Sequence, residues 1–192
     1  MLLGVATLMW MFEQGAALAA RDVAVDTEAV DYHVRALDPL VRTWITNGAA
    51  HSRTLRNLLA ELAASDVIVY VELVDRIASG ARGQMYFVAR TPTARYLRVE
   101  IILSGGRADM IALIAHELRH AAEVSASPLV SDSVSLSTFY LGMLENKLDA
   151  GHYDSAAARA TQDIVRNEIL AHRGSPADDL QLAQLKRSRA AR

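Results

Sequence analysis

The sequence predicts an α+β fold: a single domain with a small three-stranded sheet, a helix that packs on that sheet, and further helices toward the C-terminal end. The chain has 192 residues, of which 52% are hydrophobic and 22% are charged. This length and composition are typical of one globular domain with its own core. Helical and strand-like patterns of apolar residues follow one another in the order helix, helix, three strands, three helices.

The first predicted elements are two helices and two strands. Apolar residues recur at helical spacing over Thr27–Thr46, where Pro39 interrupts the period, and more regularly over Ser52–Ser65. The continuous β-branched run Val67–Val71 predicts a strand that is buried on both faces. After a glycine-rich break, Gln84–Arg90 predicts a second strand.

The third strand and the remaining helices follow. Apolar and polar residues alternate over Arg95–Leu103, which predicts a half-exposed strand at an edge of the sheet. A long helix is then predicted over Arg107–Val124, and another around Leu136–Leu144. The last helix begins at Asp154 or Ser155, either of which can serve as N-cap. It ends at His172, and residues 181–192 form a basic tail.

The N-terminus has the pattern of an export signal. The apolar run Leu2–Phe12 has the length of a signal-peptide core and is too short to span a membrane. Ala17–Ala19 fits an A-x-A cleavage site, so residues 1–20 are predicted to be a signal peptide and 21–180 the domain. The protein is then exported to the periplasm or the extracellular space. Because no Lys or Arg precedes the run, the alternative is a buried or membrane-associated N-terminal helix in a membrane-associated or cytoplasmic protein.

Composition also excludes several functional classes. The chain has no cysteine, so any metal must be held by nitrogen and oxygen ligands. The net charge of −2 gives no electrostatic basis for binding nucleic acid. The sequence contains no GxSxG elbow, no phosphate-binding P-loop and no GxGxxG turn.

The chemistry is concentrated in the helix that follows the third strand. Residues 116–120 read His-Glu-Leu-Arg-His, an H-E-x-x-H motif. Positions i and i+4 of a helix share a face, so His116 and His120 can reach one zinc ion. Glu117 is offset around the helix and is placed to act as a general base toward a water whose pKa zinc lowers to roughly 7. The apolar residues of the opposite face, which can anchor the helix on the sheet, are Ile111, Ile114, Leu118 and Ala121.

This segment resembles the active-site helix of the zincin metallopeptidases, and its HELRHAAE string is similar to small bacterial proteins with a HExxHAxE-like helix. The likeness in the order of elements extends over about residues 52–170. It implies a zincin-like domain with one zinc per chain that hydrolyses a peptide or protein substrate. His116 and His120 are then the ligands and Glu117 the base. The strand Arg95–Leu103 resembles the edge strand that pairs with an extended peptide in that family.

The third metal ligand remains open between several acidic residues. The metzincin continuation of the motif is absent, because Glu123 replaces its glycine and Ala126 its third histidine. Glu145, on a following helix, and Glu123, on the same helix, are equal candidates. Glu123 is also suited to bind the second nitrogen of an imidazole. Asp154 and Glu168 are less favoured.

Two further questions stay open in the sequence. An oxyanion donor is sought among Tyr140, Tyr153, Arg166 and His172, and none is assigned. The alternative to an enzyme is a zincin-shaped domain without turnover, in which the metal is structural or absent and the surface binds a partner.

Overall fold

The structure, a computed structural model, describes residues 33–143 and 154–172 and the isolated residues 183, 184 and 187. The predicted signal peptide, Glu145, Tyr153 and most of the predicted tail lie outside the described residues. Within the described part, no helix is both long and apolar enough to cross a membrane.

Nine elements form the described part of the chain, and it has the predicted α+β class. The strands and helices, in chain order, are β1 (Val34–Ala36), α1 (Pro39–His51), α2 (Arg53–Ala63), β2 (Val67–Val74), β3 (Gly83–Arg90), β4 (Arg95–Ile102), α3 (Arg107–Ser125), α4 (Ser133–Met143) and α5 (Ala156–Ala171).

The sheet has four strands, and the prediction of three is wrong. The additional strand β1 lies within the segment predicted as the first helix, and it pairs with β2 in parallel. Three residues are too few to distinguish a period of two from a helical period. The helix starts only after Asp38, whose carboxylate accepts a hydrogen bond of 2.7 Å from the N–H of Leu40, with Pro39 at the first helical position.

The predicted edge position of Arg95–Leu103 is also wrong. The strand order is β1-β2-β4-β3, so β4 lies between β2, with which it runs parallel, and β3, with which it runs antiparallel. The alternation does report one buried face, since Leu97, Val99 and Ile101 are fully buried. A central strand alternates in the same way when one face of its sheet is left polar, so the pattern identifies a face and not an edge. The outer strand on this side is β3.

Helix α3 packs on the sheet as predicted. Ile111, Ile114, Leu118 and Ala121 are all fully buried in the core. The same core takes residues from α1, α2 and α5, so both sides of α3 are enclosed by packing. Burial of these apolar side chains fixes the rotation of α3 about its axis and so fixes where the motif points.

The C-terminal end of α3 is held by a buried arginine from the start of β4. The guanidinium of Arg95 donates to the carbonyl oxygens of Val124, Ser125, Ser127 and Val130 at 2.7–3.2 Å. It also donates two hydrogen bonds, of 2.8 and 2.7 Å, to the carboxylate of Asp66. A cation at this end satisfies carbonyls that have no partner in the helix and opposes the negative end of the helix dipole.

Candidate metal centre

His116 and His120 lie on one face of α3, one turn apart, with side chains that are 12% and 5% exposed. Their ring centroids are 4.9 Å apart, and the rings meet edge to face at 79°. The predicted pair of imidazoles is therefore together and largely shielded from water.

One nitrogen of each ring is buried without a hydrogen-bond partner among the described residues: Nδ1 of His116 and Nε2 of His120. An unsatisfied buried polar atom costs about 1–3 kcal/mol, so such atoms are uncommon unless something else occupies the site. Nε2 of His120 is the kind of donor that a bound metal ion would satisfy, whereas on His116 the nitrogen near Asp154 is Nε2 and not the unpartnered Nδ1.

Asp154 completes a group of three donors. Its Oδ1 atom lies 3.5 Å from Nε2 of His116, and one ligand atom from each of His116, His120 and Asp154 lies within 4.8 Å of the others. Asp154 immediately precedes Ser155, the N-cap of α5, so the docking of α5 on α3 brings this carboxylate to the histidines. Asp154 also forms an ion pair of 3.4 Å with Arg159.

The surroundings of His116 favour a neutral imidazole. Burial, with a further contribution from the neighbouring His120, lowers the pKa of His116 below its ordinary value. The nearby side chains of Asp154 and Gln162 oppose this shift without reversing it. A neutral imidazole is the form that binds a metal ion.

Glu123 binds His120, the second histidine of the pair. One of its carboxylate oxygens lies 2.9 Å from Nδ1 of His120, and the other accepts a hydrogen bond from the hydroxyl of Ser155. Burial raises the pKa of Glu123, but the hydrogen bonds from His120 and Ser155 outweigh it, and the pKa lies below its ordinary value. Glu123 lies outside the His116–His120–Asp154 group, in a position to orient the ring of His120.

Glu117 is buried beside the two histidines, with only 5% of its surface exposed. Burial raises the pKa of Glu117 to about 7, against the opposing effect of His120. Its carboxylate packs against the backbone of Gly83, at the start of β3, so closely that a Cβ atom on Gly83 would overlap with it. A carboxyl group with this pKa can exchange a proton near neutral pH.

Tyr140 supports the site from α4. Its ring packs edge-on against His120, with centroids 5.2 Å apart, and its hydroxyl donates a hydrogen bond of 3.2 Å to the backbone carbonyl of His120. Burial raises the pKa of Tyr140 above its ordinary value. The tyrosine is therefore neutral and braces the backbone of the motif.

Three other residues considered from the sequence have different partners. Glu168 accepts hydrogen bonds from Ser52 and Thr54 at the start of α2. Arg166 pairs with Asp109. His172 is exposed, at the C-terminal end of α5, and its ring lies 5.2 Å from that of His51.

Sequence reasoning gave no role to Gln162 and treated Ser155 only as an N-cap. Both lie on or next to α5. Ser155 donates a hydrogen bond to Glu123, and Gln162 lies near enough to His116 to affect its pKa. These contacts arise because α5 packs on α3, and no local pattern in the sequence predicts that packing.

A surface cavity of about 320 Å³ also lies near the motif. Its lining residues are Arg53, Thr54, Asn57, Leu58, Glu61, Arg119 and Thr161. It includes Arg119 of the motif but neither histidine, nor Glu117, nor Asp154. The candidate centre is thus defined by its donor atoms and not by this cavity.

Comparison of the chain with protein-family models, with curated proteins and with solved structures gives no match.

Proposed function

We propose that this protein is a zinc-dependent hydrolase of the metallopeptidase class. The observation that carries the proposal is the grouping of His116, His120 and Asp154, with ligand atoms within 4.8 Å of one another. Nε2 of His120 is buried and has no hydrogen-bond partner among the described residues. Glu117, which directly follows His116 on the same helix, is buried.

The donor set suits zinc. Two imidazole nitrogens and one carboxylate oxygen are a common protein ligand set for catalytic zinc, which keeps a further position open. His116, His120 and Asp154 would hold the ion. Zinc bound there would supply a Lewis acid that polarises a carbonyl group and makes a water molecule more acidic.

Glu117, Glu123 and Gly83 have separate roles in the proposed reaction. Glu117, whose pKa is raised to about 7 by burial, accepts a proton from the attacking water and returns it to the leaving group. Glu123 holds His120 through Nδ1, which leaves Nε2 for the metal. The contact of Glu117 with Gly83 holds its carboxylate at the start of β3.

The proposed substrate is an extended peptide bound along β3. Among the described strands, β3 pairs only with β4, so its other side is an edge at which a peptide can add as a further strand. β3 begins at Gly83, against the carboxylate of Glu117. A peptide on this edge would therefore run past the proposed base. The sequence predicts that Arg95–Leu103 pairs with the peptide. Because that strand lies inside the sheet, we assign the pairing to β3 instead.

A second candidate is a zincin-shaped domain without turnover, with a structural metal or none. It is favoured by the burial of the site, since Glu117 and His120 are only 5% and 4% exposed. A structural zinc site is closed in this way, whereas a catalytic one must admit substrate. The two candidate functions differ in whether the zinc-loaded protein hydrolyses peptides.

The test is cleavage of a fluorogenic peptide library and of unfolded casein by the zinc-loaded full chain. We expect cleavage that stops with a chelator and returns with added zinc. His116→Ala removes a ligand and is expected to be inactive, whereas the matched control His172→Ala, which changes an exposed histidine, is expected to cleave normally. Cleavage that persists in His116→Ala would refute the proposed site. A wild-type chain that holds zinc but cleaves no peptide would favour the second candidate.

A further inference from the structure

Ser155 lies at the start of α5 and contacts two parts of the molecule at once. As the N-cap of α5, its Oγ atom accepts a hydrogen bond of 2.9 Å from the N–H of Ala158. The same hydroxyl donates its hydrogen to a carboxylate oxygen of Glu123. The hydroxyl therefore accepts in one contact and donates its single hydrogen in the other.

These contacts determine which nitrogen of His120 carries a hydrogen. A carboxylate only accepts hydrogen bonds, and one oxygen of Glu123 already receives the hydroxyl of Ser155. The other oxygen, 2.9 Å from Nδ1 of His120, must then receive an N–H from that nitrogen. In a neutral ring this leaves Nε2 of His120 with its lone pair, and Nε2 is the buried nitrogen for which the described part of the chain offers no hydrogen-bond partner.

The start of α5 thus reaches the histidine pair at two points. Asp154 lies 3.5 Å from His116, and Ser155 binds the glutamate that binds His120. A shift of the first turn of α5 would therefore change the orientation of both imidazole rings.

We propose that Ser155 is a positioning residue for the metal centre. Through Glu123 it fixes the orientation of His120 and keeps the hydrogen on Nδ1, and it couples the seating of α5 to metal binding. The inference rests on the zinc site of the proposed function but does not require that the protein hydrolyses anything.

The test separates the bond to Glu123 from the capping of α5. Asn and Asp are both as good as Ser at an N-cap, but only the Asn amide can donate a hydrogen to Glu123. Zinc affinity is measured by competition with a chromophoric chelator for the wild type, Ser155→Asn and Ser155→Asp. We expect Ser155→Asp to bind zinc about 10–100-fold more weakly and Ser155→Asn to stay close to the wild type.

A charge control and a fold control accompany these variants. Ala157→Asp adds the same negative charge at an exposed position in the first turn of α5, without touching Glu123, and is expected to retain wild-type zinc affinity. Circular dichroism of the zinc-free variants shows whether α5 still forms.

The outcomes are distinct. Wild-type affinity in Ser155→Asp, or equal weakening in the Asn and Asp variants, would overturn the role of Ser155 and leave the zinc site intact. A wild-type chain that binds no zinc would overturn the site as well. Nitrogen-15 NMR of the zinc-free chain gives an independent check, because it is expected to show His120 protonated on Nδ1. The Nε2–H form would contradict the inference.

Discussion

Glu117→Gln is expected to bind one zinc per chain as the wild type does and to lose about 10²–10⁴-fold in the rate of peptide hydrolysis. The amide has the shape of the carboxyl group, so it fits the same buried space against Gly83. It cannot accept a proton from water, so the general-base step is lost while the histidines are unchanged.

The measurement pairs initial rates with zinc content on the same preparations. Glu61→Gln is the matched control, because Glu61 is exposed on α2 and contacts the motif only through Arg119. It is expected to keep the wild-type rate. Undiminished hydrolysis by Glu117→Gln would remove Glu117 from the mechanism. Loss of zinc in that variant would instead make Glu117 part of the metal site.

Arg95→Met is expected to lower the free energy of unfolding by about 2–3 kcal/mol, because it removes hydrogen bonds from a charged group to buried carbonyl oxygens. The side chain is only 4% exposed, and its guanidinium serves the carbonyls at the end of α3 together with Asp66. Methionine fills a similar volume but leaves those carbonyls, and the charge of Asp66, without their donor.

Urea unfolding at neutral pH measures this loss. Arg159→Met, at an exposed position, is the control and is expected to change stability by less than about 1 kcal/mol. A loss of that small size in Arg95→Met would show that the buried arginine does not hold the end of α3.

The same pair predicts part of the dependence of stability on pH. The hydrogen bonds from Arg95, opposed in part by burial, hold the pKa of Asp66 below its ordinary value. A depressed folded pKa stabilises the protein above the unfolded pKa of about 3.9, and this contribution is lost as pH falls through the folded value. Because Asp66 is 46% exposed, the contribution is small, and Arg95→Met should abolish it.

Much of the candidate site could be predicted because it is local. His116, Glu117 and His120 lie within one turn or so of a 19-residue helix, and the apolar face of that helix is a long, regular pattern. The serines that cap α2 and α5 are also local signals, since the cap bonds span three residues.

The remainder depends on contacts between elements. Asp154 reaches His116 only because α5 packs on α3, and spacing along the chain favoured Glu145 and Glu123 instead. Glu145 lies outside the described residues and stays a prediction, as do the signal peptide and the export that follows from it. Likewise, alternation in β4 identified a buried face but could not tell a central strand from an edge strand.

If His116, His120 and Asp154 form a zinc site, titration of the metal-free full chain with zinc will reveal it. We expect one tight zinc per chain, no tight binding in His120→Ala, and a weaker site in Asp154→Ala than in Glu145→Ala. Binding is measured in the His172→Ala background, so that the exposed His51–His172 pair adds no weak second site. Absence of tight zinc binding, or tight binding that is unchanged in His120→Ala, would show that these residues do not form a zinc site.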